Sequence, residues 1–175
     1  MTNSATQMDE PLFDSTWAAL AFAFRYSTQQ YQPTPMARLM RGSLGSGKGL
    51  HGLDGAAQAG LIKAEVDQLR LFERSAVISR FALCQKERSL AMLALVPPAT
   101  AALGTGVHNR RMVDNLVQKY FGQRCFLKDL AADHGVHADT MTQRWACIKR
   151  MLRELENRGI DQMETRLQAM GLVPW

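Results

Sequence analysis

The stretch that decides the fold of this chain runs from Phe126 to Leu152 and reads FLKDLAADHGVHADTMTQRWACIKRML. Apolar residues recur at intervals of three and four on both sides of Gly135, which is the spacing of amphipathic helices. Glycine adopts the left-handed conformation of a tight turn at little cost, and Val136 can cover that turn from the core side. The stretch therefore predicts two helices joined by a tight turn.

Two helices joined in this way form the helix-turn-helix pattern, in which the second helix enters the major groove of DNA. Here the second helix is predicted to begin at His137 or Ala138. His137 departs from the usual start of a helix, because Ser, Thr, Asp and Asn are the preferred N-caps. The inward stripe of this helix is predicted to consist of Met141, Trp145, Ile148, Met151, Leu152 and Leu155.

The residues opposite this stripe are predicted to face DNA. Glutamine can pair with adenine through two hydrogen bonds, and threonine can bond to a base or touch a thymine methyl. Basic side chains bind phosphates without reading sequence. The predicted base contacts are Asp139, Thr142, Gln143 and Ala146, and the predicted phosphate contacts are Lys128, Arg144, Lys149, Arg150 and Arg153. A three-helix module that serves only for packing or protein contact is the other interpretation of the same pattern.

Composition and charge agree with a nucleic-acid partner without requiring one. The chain has 175 residues, of which 46% are hydrophobic and 21% are charged. This apolar content is sufficient for a folded core. The net charge of +5 and the pI near 9.4 favour polyanionic partners.

Cysteine use and hydropathy predict a cytoplasmic protein. The three cysteines, Cys84, Cys125 and Cys147, are an odd number and widely spaced, which suits reduced thiols rather than a disulfide framework. The first ten residues lack the basic and apolar regions of a secretory signal, and no apolar run is long enough to cross a bilayer. We therefore expect no membrane association.

The rest of the chain is predicted to be helical, so the expected fold class is all-α. A helical N-terminal region precedes a C-terminal helix-turn-helix domain, which consists of three helices plus a terminal helix. Pro97 and Pro98 are predicted to end the last helix of the N-terminal region. The predicted divisions are a disordered arm at 1–11, the N-terminal region at 12–98 with a glycine-rich loop at 42–52, a linker at 99–106 and the DNA-binding domain at 107–175.

Caps and helix-breaking residues predict the limits of the individual helices. The first helix begins at Asp14 or Ser15 and is expected to bury Trp17, Leu20, Ala21 and Phe24. Further helices are predicted at 54–72 and 75–96, with a break in the second near 84–87.

In the C-terminal domain, the helix before the motif is predicted at Arg110–Phe121. A last, separate helix is predicted at Ile160–Met170, with Gly171 as its C-terminal cap. The apolar side of that last helix serves either as core or as a dimerisation face, since symmetric dimers are common among helix-turn-helix proteins.

The segment from Arg110 to Glu156 resembles region 4 of bacterial sigma factors and related small regulators. The resemblance rests on helix Arg110–Phe121, a loop with Gly122, the run Phe126-Leu-x-x-Leu-Ala-x-x-x-Gly-Val, and the long helix ending in Leu152-x-x-Leu-Glu. In that family the second motif helix reads promoter DNA and the domain also touches RNA polymerase. This chain has His137 where the family usually has Thr or Ser, so the promoter specificity is not carried over.

The N-terminal half carries a second resemblance. The run Gly45-x-Gly-Lys-Gly-Leu-x-Gly-Leu-Asp-Gly-Ala-Ala-Gln-Ala-Gly60, ahead of a helical reader domain, is similar to prophage-encoded regulators. These include late-gene and antitermination proteins of the Q type. The resemblance implies late-gene control or antitermination, with the N-terminal region contacting RNA polymerase or forming oligomers.

A nucleotide-hydrolysing enzyme is a weaker interpretation of the glycine-rich stretch. Gly42–Gly49 has the wording of a phosphate-binding loop, but Gly49 stands where Ser or Thr should follow Lys48. No predicted strand precedes the stretch, as such a loop requires. A loop whose Lys48 reaches DNA phosphates is favoured instead.

Metal binding and catalysis also lack a pattern. The spacings of Cys125, His134, His137 and Cys147 match no zinc site, so no metal is predicted. A solvated turn accounts for His51, which flanks glycines near Asp54, and no catalytic set can be placed on a common face. We expect neither enzymatic activity nor a cofactor.

The sequence therefore predicts a sequence-specific DNA-binding transcription regulator. The expected partners are double-stranded DNA, RNA polymerase and a second copy of the chain. The alternative is an adaptor that binds RNA polymerase or a phage protein without reading DNA itself.

Overall fold

The computed structural model describes residues 11–30, 53–104 and 109–175, and within these ranges every regular element is a helix. The all-α class is thereby confirmed. The glycine-rich stretch 42–52, with Lys48 and His51, lies outside the described residues, as does the predicted arm up to residue 10. In chain order the helices are α1 Thr16–Gln30, α2 Leu53–Asp67, α3 Leu71–Phe81, α4 Gln85–Ala94, α5 Val96–Ala102, α6 Arg110–Tyr120, α7 Leu127–Asp133 and α8 Ala138–Ala169.

The chain divides into two compact units. The first comprises the described residues up to Glu65 together with Gln162–Trp175, and the second comprises Val66–Asp161. This division differs from the one expected, because the predicted linker at 99–106 falls within the second unit.

The predicted linker is helical over its first four residues. Val96–Ala102 forms α5, and Pro97 and Pro98 lie in its first turn, where a missing backbone N–H leaves no helical hydrogen bond unmade. Ala99 is fully buried. The prediction that the two prolines end a helix is therefore wrong: they begin one. Residues 105–108 lie outside the described part of the chain.

The second unit has one core, to which α3 to α8 contribute. The predicted DNA-binding domain therefore shares its interior with residues that were assigned to earlier parts of the chain, namely Ala76, Met92, Leu95 and Val96 of the N-terminal region and Ala99 of the linker. Their partners from the later helices are Met112, Val113, Leu116, Val117, Phe121, Leu130, Ala131, Met141, Ile148, Leu152 and Leu155.

In the first unit, α1 begins where the sequence predicts. Ser15 caps it, since its Oγ accepts a hydrogen bond of 3.2 Å from the N–H of Ala18. Leu20 and Phe24 are buried as expected and Ala21 is half-buried, but Trp17 is 50% exposed. The buried stripe continues into the first turn through Thr16, so Trp17 lies at its edge.

The C-terminal residues complete this unit. Met163 and Leu167 are fully buried, as is Ile62 of α2. The N–H of Phe13 donates to the carbonyl of Leu172 at 2.9 Å. The core role of the last apolar stripe is thus confirmed for its two central residues, whereas Met170 is 37% exposed.

The predicted separate helix at Ile160–Met170 does not exist as such. It is the end of α8, which runs without a break over 32 residues. Gly159 lies inside this helix at a place where α3 passes close to it: a Cβ there would lie 2.9 Å from Cγ2 of Val77. Gly171, with φ of 68°, ends α8 as predicted.

Candidate nucleic-acid interface

The turn between α7 and α8 has the geometry that the sequence predicts. Gly135 is left-handed, with φ of 61°. The N–H of Val136 donates to Ala131 O at 2.8 Å, and the N–H of Gly135 donates to Ala132 O at 3.2 Å. These two bonds form a Schellman motif, which satisfies the last carbonyls of α7. The chain can therefore reverse within a few residues and start α8 at once.

His137 caps α8 through its imidazole ring. Its carbonyl accepts the N–H of Met141 at 3.0 Å, and its ring Nδ1 accepts the N–H of Asp139 at 3.4 Å. An unprotonated imidazole nitrogen is a hydrogen-bond acceptor, so the ring replaces the hydroxyl or carboxylate of a usual cap. The carboxylate of Asp139, 3.5 Å from Nδ1, lies in the first turn, where the helix dipole favours a negative charge. His137 can therefore cap α8, although histidine is an unusual residue at the start of a helix.

The inward stripe of α8 is confirmed. Met141, Ile148 and Leu152 are fully buried and Leu155 nearly so. The remaining stripe residues, Trp145 and Met151, are half-buried against the same core. Between Met141 and Leu155, one side of α8 therefore packs in the core of the second unit, and the opposite side of this segment faces solvent.

The four predicted base-contacting residues lie on the solvent side of α8. Gln143 and Ala146 are exposed to solvent. Thr142 donates its hydroxyl hydrogen to Ala138 O at 3.0 Å, which leaves its oxygen free to accept and its methyl free to make contact. The four exposed residues are Asp139, Thr142, Gln143 and Ala146.

The predicted phosphate contacts fall into two groups. Lys128, Lys149, Arg150 and Arg153 are exposed. Arg144 is half-buried instead, and its Nη1 lies 3.3 Å from Sδ of Met112 in α6. The structure therefore holds Arg144 against α6. It brings Arg150 and Arg153 onto the face that carries Gln143 and Ala146, because these four positions are spaced by three, four and three residues.

A buried polar cluster near the middle of α8 was not foreseen. The Glu156 carboxylate, on a residue that is 6% exposed, accepts Arg80 Nε at 2.5 Å and Nη2 at 2.9 Å. It also accepts the hydroxyl of Tyr120 at 2.6 Å. Arg80 lies over the rings of Tyr120 and Phe121, 5.2 and 5.3 Å from their centroids. Three helices, α3, α6 and α8, meet at this cluster.

The cluster changes the ionisation of its members. Burial raises the pKa of Tyr120 to about 12, and the hydrogen bond and negative charge of Glu156 add to this effect. The hydrogen bond to Glu156 raises the pKa of Arg80. A signal for the cluster existed in the sequence: Glu156 follows Ile148 and Leu152 at intervals of four, so it continues the apolar stripe. A charge at such a position indicates a buried partner.

The four residues considered for zinc have other contacts or stand apart. The ring of His134 lies 3.2 Å from the side-chain amides of both Asn109 and Asn115. Cys147 donates its thiol hydrogen to Ala102 O at 3.2 Å. Within the described ranges, no group of three or more His, Cys, Asp or Glu side chains is arranged to hold a metal ion.

Comparison with protein-family models, with curated proteins and with solved structures finds no match for this chain. Among the residues that the structure describes, no helix combines the length and the apolar character needed to cross a membrane.

Proposed function

We propose that this chain is a sequence-specific DNA-binding transcription regulator that inserts the first half of α8 into the major groove. The outward face of α8 carries this proposal. Directly after a helix-turn-helix turn, α8 buries one face and exposes Gln143, Ala146, Arg150 and Arg153 on the other. Readers of bases and binders of phosphate thus share one solvent-facing stripe.

The spacing along this stripe suits a major groove. Seven residues separate Gln143 from Arg150, which is about 10 Å along a helix axis, and the groove is about 12 Å wide. When Gln143 and Ala146 reach base edges, Arg150 and Arg153 therefore lie near the edge of the groove, where the phosphates are. Lys149 flanks the same stripe. Arg144 contributes less to this surface, because it is held against Met112.

A salt titration of duplex binding tests the proposal. Fluorescence anisotropy with a labelled duplex of random sequence should show affinity falling steeply with salt, since each neutralised phosphate contributes about 0.9 to the slope of log affinity against log salt. Arg150→Ala should lower that slope by about 1. Lys86→Ala is the matched control, because Lys86 is an exposed cation on α4, and it should leave the slope unchanged. Absence of duplex binding at low salt would show that the proposal is wrong.

A second measurement addresses sequence reading. Selection from a pool of random duplexes should enrich a preferred site. Gln143→Ala should weaken binding to that site by about tenfold, which corresponds to the loss of one bidentate contact with a base. Binding to scrambled duplex should change little, because Gln143 carries no charge. Equal loss on both duplexes would argue against base reading by Gln143.

An adaptor function is the second candidate, and one surface favours it. Leu83, Leu90 and Leu93 are 58%, 59% and 44% exposed. Leu90 and Leu93 are three residues apart in α4, so they lie on one side of that helix. Grouped exposed apolar residues often mark protein contacts. The resemblance to prophage regulators makes RNA polymerase, in late-gene control or antitermination, the partner to test, and a second copy of the chain the next.

Leu90→Lys separates the two candidates. If the chain is an adaptor, this change should abolish its binding to RNA polymerase and leave its affinity for duplex DNA unchanged. For a regulator that acts through α8 alone, Leu90→Lys should change neither duplex affinity nor regulation.

A further inference from the structure

The cluster around Glu156 holds α8 at one point of its length. Glu156 receives hydrogen bonds from α3 through Arg80 and from α6 through Tyr120. One turn later, Gly159 lies against α3 so closely that a Cβ there would be 3.2 Å from Glu73 O. We call Arg80, Tyr120, Glu156 and Gly159 the α8 clamp. It limits both rotation and sliding of the helix.

An ionic contact at this place has a consequence that an apolar one would lack. Apolar side chains of similar volume often stabilise a core as well as a buried ion pair does, so the pair adds little net stability. Its donors and acceptors must instead meet at fixed distances and angles. The bidentate hydrogen bond from Arg80 and the third hydrogen bond from Tyr120 therefore select one rotational orientation of α8.

The rotational setting of α8 determines where its outward side chains point. A rotation of about 20° moves side-chain ends at a radius of about 6 Å by about 2 Å. Such a shift breaks a hydrogen bond to a base, whose useful range is only about 0.5 Å. The attraction between an arginine and a phosphate decreases far more gently with distance. Base reading is thus more sensitive to the clamp than phosphate binding is.

We infer that Arg80, Tyr120 and Glu156 are positioning residues that set the sequence discrimination of the outward face of α8. They touch no DNA, and they lie about 20 Å along the helix from Gln143. This inference rests on the proposed function. It adds that discrimination is controlled from a buried site remote from the contact surface.

The test compares the affinity for the selected site with the affinity for a scrambled duplex. It is done at a temperature at which circular dichroism shows that each variant is folded. Glu156→Gln and Arg80→Lys should each lower the ratio of the two affinities by about tenfold, the equivalent of one base contact. Arg80→Lys keeps the positive charge but cannot form the bidentate hydrogen bond to Glu156. The affinity for scrambled duplex and the salt slope should stay within twofold of the unmodified chain.

A matched control lies on the same helix. Arg166 Nη1 bonds to Glu65 Oε2 at 2.8 Å in the first unit. Glu65→Gln should leave the affinity ratio unchanged. Tyr120→Phe removes one hydroxyl and keeps both the ion pair and the ring, so it should fold even if Glu156→Gln does not, and it should lower the ratio by a few fold.

The outcomes separate the two proposals. If the unmodified chain binds no duplex, the proposed function fails, and the inference fails with it. If the unmodified chain discriminates between the duplexes and the folded clamp variants discriminate equally well, the clamp is only structural and the inference alone is overturned. A fall in the ratio with Glu65→Gln as well would show that any loosening of α8 suffices, which also overturns the specific role of the clamp.

Discussion

The two units of this chain each contain an ion pair with a residue of α8, and the pairs differ in their surroundings. In the second unit, Arg80 meets Glu156 through two bonds, and the Glu156 side chain is 7% exposed. In the first, Arg166 meets Glu65, whose side chain is 23% exposed. Both pairs join residues that are distant in sequence. Water competes less with an ion pair that is buried, so we expect the Arg80–Glu156 pair to hold α8 more firmly than the Arg166–Glu65 pair does.

Removing one partner from each pair gives the largest expected difference. Glu156→Ala should lower the free energy of unfolding by about 3 kcal/mol, because it leaves a partly buried guanidinium without its counter-charge. Glu65→Ala should cost about 1 kcal/mol, the range of more exposed pairs. Urea unfolding of both variants measures this, and equal losses would show that burial of Glu156 does not distinguish the pairs.

The glycines of the long helices provide the next test. Gly159→Ala should lower the free energy of unfolding by about 2 kcal/mol, because the new Cβ would lie 2.9 Å from Val77 Cγ2 and must push α3 aside. Gly60→Ala in α2 should raise it by up to about 1 kcal/mol, because among the described residues no atom beyond the neighbouring turns of its own helix lies within 4 Å of the new Cβ. Thermal unfolding measures whether each change lowers or raises the free energy of unfolding. A stabilising effect of Gly159→Ala would contradict the close approach of α3 and α8 at this glycine.

Two left-handed glycines allow a smaller and sharper comparison. Gly135 and Gly171 both end a helix with the same pair of hydrogen bonds. Alanine at either site should cost about 1 kcal/mol, since left-handed alanine is strained. Only Gly135→Ala should also weaken duplex binding, because only that turn precedes the proposed reading face. If the two variants change DNA affinity equally, the turn at Gly135 has no particular role in DNA binding.

The smallest expected effect is a dependence on alkaline pH. The pKa of Tyr120 is raised to about 12, so the neutral hydroxyl is favoured by folding. Its contribution to stability is fully present below pH 10, the usual pKa, and is lost as pH rises through 12. Tyr120→Phe should therefore be less sensitive than the unmodified chain to a rise from pH 10 to 11.5 in urea unfolding. Parallel curves would show that the Glu156 contact does not govern this titration.

Local signals in the sequence were sufficient for several elements. Ser15 at the start of α1, Gly135 in the turn and the stripe from Met141 to Leu155 were all predicted, and the structure confirms them. Each depends on residues within a few positions of one another. Backbone conformation and helical periodicity are properties of such short stretches, so they can be predicted without knowledge of distant contacts.

Other features depended on contacts between distant residues. Gly159 was compatible with a helix end, but it lies inside the continuous α8, close to Val77 of α3. Pro97 and Pro98 were compatible with a helix end or a helix start, and burial of Ala99 favours the start. Trp17 was compatible with either side of α1. In each case the local residues allowed two structures, and packing selected one.

Three features could be predicted from the sequence alone: the helical character of the described residues, the tight turn between α7 and α8, and the side of α8 that faces outward. Those features follow from helical spacing and from the conformational freedom of one glycine. Three further features became visible only in the folded chain: α7 and α8 share their core with α3 to α5, Arg144 is held against α6, and Glu156 is buried. These features could not be predicted because burial and hydrogen bonding here involve residues far apart in the chain, and no short stretch of sequence encodes which of them meet.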